Sequence, residues 1–174
     1  MYPRTGEVLH FSEDPGITEF VPHVAATAQQ AEAYVWAVAE SRAPDYWFPR
    51  DCPRVMAWVT PRTTENDRAL LGTASRVHVI EYGWLATMRA TRLYAYRLAA
   101  DSFTTFGEES HAQISTTTVR PLGPVEPVGD LLAAHYRAGI ELRLTDDLWP
   151  FVDAWMETSL GCSAIRLANA QPRT

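Results

Sequence analysis

The sequence predicts an α+β fold in a single domain, residues 1–174, with mixed or antiparallel sheets and peripheral helices. The chain has 174 residues, of which 47% are apolar and 21% charged, as is typical of one globular domain. Strand-like and helix-like segments follow one another without a regular βαβ alternation, which favours α+β over a doubly wound sheet. A domain of this size buries about 70% of the surface of its unfolded chain, so we expect it to fold without disulfides or metals.

Strands are predicted where short runs of apolar, aromatic and β-branched residues stand between turn residues. These runs cover 7–11, 34–39, 54–60, 75–82, 91–98, 111–119, 140–144 and 163–168. The continuous apolar run 34–39 is typical of a strand buried on both faces. Pro15 and Gly16 predict a turn after the first strand, and the three prolines in 120–128 predict an extended edge.

Helices or single helical turns are predicted between these strands and near the end of the chain. They cover 27–33, 43–48, 65–71, 83–90, 130–137 and 146–157. Thr63 or Thr64 is placed to cap the helix over 65–71, and Gly139 to close the helix over 130–137. Apolar residues recur at helical spacing in 146–157, which predicts one buried face.

The charge of the chain argues against several classes of function. A formal net charge of −6 and a pI near 5.3 disfavour a nucleic-acid partner, because phosphate binding requires a basic surface. All fifteen basic residues are Arg, which excludes Schiff-base chemistry on Lys and a phosphate-binding Lys of the P-loop type. The six Trp, seven Tyr and six Phe predict a dense aromatic core that also lines a small-molecule pocket.

The two cysteines, Cys52 and Cys162, do not form a paired motif, and no two histidines stand at metal-ligand spacing. We therefore expect no metal. No apolar run reaches the length of a transmembrane helix, and no leader-like segment is visible. These observations predict a cytoplasmic protein with reduced thiols and no membrane partner.

His10 and Ser12 end the first predicted strand, and Trp36 lies in the second. A His and a Ser at a strand end contact a ligand through their side chains, or bond only to the backbone. Trp36 is either a core residue or a stacking wall for a planar ligand.

The loop 48–54 holds two Arg, an Asp and a Cys between prolines. Arg50 and Arg54 either present guanidinium groups to an anionic ligand, or pair with Asp51 and lock the loop. Cys52 is a further candidate as a nucleophile whose pKa the flanking Arg residues lower.

The strand predicted over 111–119 places His111, Gln113 and Ser115 on one face. Such a polar face lines a cleft or is simply exposed to solvent. Glu109, just before the strand, is placed to supply a carboxylate.

Four segments of the chain resemble a family of uncharacterised bacterial proteins. These segments are HFSEDPGI (10–17), FPRDCPRV (48–55), VRPLGPVEPVGD (119–130) and IRLANA (165–170). Together they extend over most of the chain. The resemblance implies no activity.

A more distant resemblance is to ADP-ribosyltransferases of the His-Tyr-acid class, in particular the small rifamycin-modifying ones. Their first strand ends in His-Gly-Thr, where this chain has His10-Phe11-Ser12. Their Tyr-bearing second strand matches Val35-Trp36-Ala37-Val38. The later segments 93–98, 101–109 and 113–128 are similar in order and spacing.

This resemblance implies an ADP-ribosyltransferase-like fold and NAD as the cofactor. His10 would bind the adenosine-side ribose, with Ser12 beside it, and Trp36 would stack on the nicotinamide. Gln113 or Glu109 would take the place of the acid that stabilises the oxocarbenium-like ribose. Phe11 and Trp36 depart from the Gly and Tyr of the family, so the activity is either altered or lost.

Three hypotheses of function follow. The first is an enzyme, a glycosyltransferase of the ADP-ribosyl type, that binds NAD or a related nucleotide and transfers or cleaves at the ribose. The second is a non-enzymatic module that binds an anionic small molecule through the aromatic pocket, Arg50 and Arg54. The third is a thiol enzyme built on Cys52.

Overall fold

The computed structural model describes residues 1–24, 31–107 and 112–173, apart from the side chain of Glu40. It confirms the α+β prediction, with two sheets and short helices. The chain divides into two compact units. The first unit comprises Met1–Trp47 and Arg92–Val128, and the second comprises Phe48–Thr91 and Gly129–Thr174. That residues 1–174 form a single domain stays a prediction.

The sheet of the first unit is antiparallel and has six strands in the order β6-β7-β2-β1-β5-β8. The strands are β1 Glu7–Ser12, β2 Val35–Val38, β5 Tyr94–Ala99, β6 Thr104–Thr105, β7 Ala112–Ser115 and β8 Glu126–Pro127. β8 lies at the edge, as the prolines of 120–128 predict. The Thr-rich strand predicted over 111–119 is shorter in the structure, because Ser115 and Thr117 form a side-chain-to-backbone turn.

Both faces of this sheet bury apolar side chains. On one face β1, β2 and β5 contribute to a cluster with residues from the loops; its buried members are Val8, Phe20, Val35, Ala37, Tyr96, Leu98, Phe103 and Val119. The opposite face carries Leu9 and Val38, which pair across β1 and β2. Successive side chains of a strand point to opposite faces, so the prediction that 34–39 is buried on both faces agrees with this arrangement.

Hydrogen bonds from three side chains hold the turn after β1. The Ser12 hydroxyl accepts from the Asp14 N–H at 3.1 Å, and the Asp14 carboxylate accepts from the Gly16 N–H at 2.7 Å. The Tyr96 hydroxyl donates to the Asp14 carbonyl at 2.7 Å and accepts from the Ile17 N–H at 3.1 Å. The segment HFSEDPGI therefore encodes a rigid turn.

Arg97 on β5 joins three strands of the first sheet through its side chain. Its guanidinium donates to Glu7 of β1 at 2.6 Å and to both carboxylate oxygens of Glu126 on β8, at 2.7 and 3.2 Å. The Arg97 and Glu7 side chains are only 11% and 13% exposed. Such charge-assisted, bidentate contacts are stronger than neutral hydrogen bonds.

The sheet of the second unit has four strands in the order β10-β3-β4-β9. They are β3 Arg54–Trp58, β4 Arg76–Glu81, β9 Glu141–Thr145 and β10 Gly161–Ile165. β3 pairs with both neighbours in antiparallel fashion, whereas β4 and β9 are parallel. The central strands are completely buried at Val55, Ala57, Val77 and Val79.

Four α-helices accompany this sheet, α1 Glu65–Ala69, α2 Leu85–Ala90, α3 Leu131–Arg137 and α4 Trp149–Trp155. The caps are local: Thr64 accepts from the Asp67 N–H, and Asp130 accepts from the Ala133 N–H. The Asp67 carboxylate accepts from the Ser159 hydroxyl and N–H, and these bonds lower the pKa of Asp67. Gly139, at φ +67°, follows α3 as predicted.

A seven-residue 3-10 helix covers Glu40–Tyr46, and single turns of 3-10 helix occur at Tyr82–Trp84, Ala100–Ser102 and Leu167–Asn169. The first of these replaces the short helix predicted over 43–48. The helical turn predicted over 27–33 lies mostly outside the described residues. Within the described ranges, no helix combines the length and the apolar character needed to span a membrane.

Candidate functional site

His10 occupies the middle of the first unit's sheet and is held in one orientation. Its Nδ1 lies 2.7 Å from the Trp36 carbonyl oxygen, and its ring centroid lies 4.5 Å from that of Phe20. A carbonyl only accepts, so Nδ1 carries the proton of the neutral ring. Nε2 is then a hydrogen-bond acceptor.

Gln113 lies on the same face of the sheet as His10. It pairs with Ala37 of β2, and Ala37 belongs to the same cluster as the Phe20 ring that His10 contacts. β2 lies between β1 and β7, so the backbones of His10 and Gln113 are two strand spacings apart, about 10 Å. The Gln113 amide donates to the Thr105 hydroxyl at 3.3 Å. The small Ala37 side chain therefore stands between two partly exposed polar groups.

An open depression adjoins this face at Tyr96, the cross-strand partner of His10. Its volume is about 370 Å³, and it is lined by residues 15–18, Tyr96 and residues of the segment 121–125. A depression of this size accommodates part of a small molecule. Its walls are mostly prolines, glycines and apolar side chains.

Ser12 and Ser115 bond to the backbone of their own turns. Ser12 accepts from Asp14, as described, and the Ser115 hydroxyl lies 3.2 Å from both the carbonyl and the N–H of Thr117. Ser115 is buried. These contacts are those of turn-forming serines, and the prediction that both serines contact a cofactor stays untested.

Trp36 lies on the opposite face of the sheet from His10. Its neighbours on β2, Val35 and Ala37, both pack in the cluster on the His10 face, so the intervening side chain points away from that face. The Trp36 ring contacts Tyr34 and Phe106, with centroid distances of 5.9 and 4.9 Å. Only the Trp36 carbonyl reaches His10. The structure thus separates two side chains that the sequence analysis placed on one NAD molecule.

The candidate acid Glu109 and the candidate His111 lie outside the described residues. Of the two residues predicted to take the place of the acid, the structure describes Gln113, which lies on β7. Its amide is neutral, so it supplies hydrogen bonds and no negative charge.

Arg50 and Arg54, in the second unit, differ in their surroundings. Arg50 is exposed, whereas Arg54 is 4% exposed. The Arg54 guanidinium donates to the Cys52 carbonyl at 2.9 Å and lies 5.0 Å from the centre of the Phe48 ring. The loop is also tied to the chain end, because the Asn169 amide donates to the Asp51 carbonyl at 2.8 Å. Arg54 thus holds the loop through the Cys52 carbonyl and the Phe48 ring, while its pairing with Asp51 and anion binding by Arg50 and Arg54 stay predictions.

Cys52 is completely buried. Burial raises the pKa of its thiol to about 12, which outweighs the opposing effect of Arg54. A thiol with this pKa stays protonated at neutral pH, and the thiolate is the nucleophilic form. The structure therefore gives no support to a nucleophilic Cys52.

Sequence reasoning missed a buried pair of histidines in the second unit, His78 on β4 and His135 on α3. They are 0% and 1% exposed, and His78 Nδ1 lies 3.1 Å from His135 Nε2. Arg76 Nε donates to His78 Nε2 at 3.0 Å, and His135 Nδ1 lies 2.7 Å from the Leu131 carbonyl. Two sequence features could have indicated that both histidines are buried. His78 lies in the alternating strand 75–82, and His135 lies one helical turn after the apolar Leu131.

In this series of hydrogen bonds every donor points the same way, from Arg76 towards the Leu131 carbonyl. The series therefore predicts the tautomers of both rings. The Arg76 guanidinium only donates, so His78 Nε2 accepts and His78 Nδ1–H donates to His135. His135 Nδ1–H then donates to the Leu131 carbonyl. We expect two-bond ¹H–¹⁵N spectra at neutral pH to display the Nδ1–H tautomer for both rings. An Nε2–H tautomer of His78 would contradict this series.

Within the described ranges, no three His, Cys, Asp or Glu side chains come together in a way that suits a metal ion. The comparisons with known proteins identify a family. The profile of a family of unknown function, DUF6886, matches residues 9–170, and the chain belongs to this family. No curated protein and no solved structure has significant similarity to the chain.

Proposed function

We propose that this member of the DUF6886 family binds a ribose-containing nucleotide, NAD first among the candidates, on the His10 face of the first unit's sheet. The observation that carries the proposal is the bond between His10 Nδ1 and the Trp36 carbonyl. It fixes both the ring and its tautomer, so that Nε2 is an oriented acceptor. Ribose hydroxyls are donors that match such an acceptor.

The surroundings of His10 support a ligand of this shape. Gln113, on the same face of the sheet as His10, has an amide that both donates and accepts hydrogen bonds. The depression at Tyr96 offers apolar walls for the rest of a nucleoside. A pocket with few oriented polar groups and mainly apolar walls is typical of small-molecule sites.

The charge of the first unit limits the proposal to the nucleoside part of the ligand. The unit contains eleven Asp or Glu and five Arg, a net charge of −6 that equals that of the whole chain. Such a charge opposes a pyrophosphate group. We therefore expect adenosine to retain most of the affinity of NAD.

The resemblance to ADP-ribosyltransferases supports NAD as the first nucleotide to test. Transfer or cleavage at the ribose requires a negative charge beside the departing nicotinamide. Glu109 is the candidate for that charge. Stacking of Trp36 on the nicotinamide is not part of the proposal, because Trp36 and His10 lie on opposite faces.

The test is calorimetric titration of the chain with NAD and, separately, with adenosine. We expect both to bind, and His10→Ala to weaken each at least ten-fold, which corresponds to about 1.4 kcal/mol for one oriented hydrogen bond. His23→Ala is the matched control, because His23 is an exposed histidine of the same unit whose Nδ1 also bonds to a carbonyl, that of Val21. Equal affinities of the two variants would contradict the proposal.

Nicotinamide release in the same samples tests the chemical step separately from binding. Release that Glu109→Gln abolishes without loss of NAD binding would support ADP-ribosyl chemistry. Binding without release would leave a nucleotide-binding module.

A further inference from the structure

The pair His78 and His135 joins helix α3 to strand β4 inside the second unit. Both side chains are excluded from solvent, as their exposures of 0% and 1% indicate. The Phe48 ring contacts both imidazoles, with centroid distances of 5.5 Å to His78 and 4.8 Å to His135. Neither ring therefore reaches water while α3 stays in place.

The hydrogen bonds of the pair leave no position for an additional proton. The two accepting nitrogens are His78 Nε2, 3.0 Å from Arg76 Nε, and His135 Nε2, 3.1 Å from His78 Nδ1. A proton added to either nitrogen would set two N–H groups against each other at that distance. Moving the His78 proton from Nδ1 to Nε2 removes the conflict at His135 and creates the same conflict at Arg76. The closed pair is therefore neutral.

The charges that share the pair's face of the second unit's sheet also oppose protonation. Successive side chains of a strand alternate between the two faces, and on the face that carries His78 the charged side chains of this sheet are Arg54 and Arg76. Both are cations. The Arg54 guanidinium lies 5.0 Å from the centre of the same Phe48 ring that contacts both histidines.

The other titratable side chains of the neighbouring elements lie away from the pair or are neutral. Burial raises the pKa of the Cys52 thiol to about 12, so this group carries no charge at neutral pH. Three charged residues of β4 and β9 belong to the opposite face of the sheet, together with Val77 and Val79. These are Glu81, Glu141 and Arg143. Others, in the loop before β3 and on α2 and α3, are exposed, namely Arg50, Asp51, Arg89, Asp130, Tyr136 and Arg137. Within the described part of the second unit, these elements supply no carboxylate that would offset a positive charge on the pair.

We propose that the His78–His135 pair is an acid-sensitive contact, in which uptake of a proton by either ring requires α3 to separate from β4. An imidazole in the open state is solvated and takes up a proton with an ordinary pKa of about 6.5. Because the open state then binds more protons than the closed state, its population rises as the pH falls through this range. Two histidines raise the opening equilibrium constant about 100-fold between pH 7.5 and pH 5.5.

Hydrogen exchange of the whole chain at these two pH values tests the proposal. The reporters are the Ala134 and Ala138 amides of α3, which donate to the Asp130 and Ala134 carbonyls. After correction for the intrinsic pH dependence of exchange, their protection factors measure the opening of the helix. We expect these protection factors to fall about 100-fold at the lower pH. Equal protection factors at both pH values would overturn the proposal.

A variant assigns the effect to the pair. His135→Gln retains an acceptor for His78 Nδ1–H but does not titrate, so one ionisable ring remains and the fall in protection should be about ten-fold. His23→Gln is the matched control, because His23 is exposed and gains no proton on opening. It should retain the full wild-type fall. A fall in His135→Gln as large as in wild type would show that the pair is not responsible. The wild-type measurement decides the proposal even if His135→Gln does not fold.

Discussion

Replacement of Arg97 by Met is expected to lower the free energy of unfolding by about 3 kcal/mol at neutral pH. The Met side chain preserves the apolar stem but leaves Glu7 and Glu126 without their common guanidinium. Loss of one partner of a buried ion pair costs about 3 to 5 kcal/mol. We place this effect at the lower limit, because the Glu126 side chain is 35% exposed.

The Arg97→Met substitution is also expected to change how the free energy of unfolding depends on pH. The Arg4 N–H and Arg97 lower the pKa of Glu7, and Arg97 lowers the pKa of Glu126, both from an ordinary value of 4.5. A carboxyl whose pKa is lowered by folding stabilises the protein above its unfolded pKa, and this contribution disappears as the pH falls through the folded pKa. The stability difference between wild type and Arg97→Met should therefore be constant above about pH 5 and shrink in more acidic solution.

Urea unfolding at several pH values measures both effects. Arg120→Met is the matched control, since Arg120 pairs with Glu19 at 3.3 Å while its own side chain is 78% exposed. Exposed pairs contribute about 0 to 1 kcal/mol, so this control should unfold almost as wild type does. A loss in Arg97→Met no greater than in Arg120→Met would contradict the role given to Arg97.

Replacement of Gly161 by Ala is expected to destabilise the chain by about 2 kcal/mol. Gly161 pairs with Trp58 across β10 and β3, and a Cβ at Gly161 would lie 2.2 Å from the Trp58 ring. The ring must then shift, and its contact with the Arg76 guanidinium, 5.1 Å from the ring centre, is disturbed. Overpacking of this kind costs about 1 to 3 kcal/mol.

Gly83→Ala is the matched control for this substitution. A Cβ at Gly83, also in the second unit, meets no atom within 4 Å. We expect this control to unfold within about 0.5 kcal/mol of wild type, as surface substitutions usually do. If both variants have the same urea midpoint, the packing of Trp58 over Gly161 is not the reason for glycine at that position.

Local sequence patterns were sufficient to predict most elements of the fold. The strands β1, β2, β3 and β4 lie within two residues of the runs that predicted them. Their apolar runs end at turn residues, which is a local property. The caps Thr64 and Asp130 and the closing Gly139 are local in the same way, because each acts on the backbone of the adjacent turn.

The arrangement of the elements was not predictable from such patterns. The chain leaves the second unit after Thr91 and returns to it at Gly129, and the three prolines in 120–128 predicted an extended edge and not a boundary between units. The parallel pairing of β4 with β9 joins strands on the two sides of that excursion. Pairings of this sequence separation depend on tertiary packing, which leaves no signal in either strand alone.

The candidate site was predictable only in part, for a geometric reason. A one-residue offset decides which face of a strand a side chain occupies. His10 and Trp36 belong to neighbouring strands, and only the packing of Val35 and Ala37 places the Trp36 ring on the far face. Arg54 was taken as a possible ligand contact because the prolines around it predict a stiff loop. The structure places it at the first, buried position of β3.

The central claim is that His10 Nε2 accepts a hydrogen bond from a ribose hydroxyl. It is tested most directly by ¹H–¹⁵N spectra of the His10 ring during titration with adenosine. We expect the Nε2 resonance to move in a saturable way while Nδ1 remains protonated, and 2′,3′-dideoxyadenosine to leave it unchanged. If adenosine binds without any change at His10 Nε2, or if the dideoxy compound produces the same change, the claim is wrong.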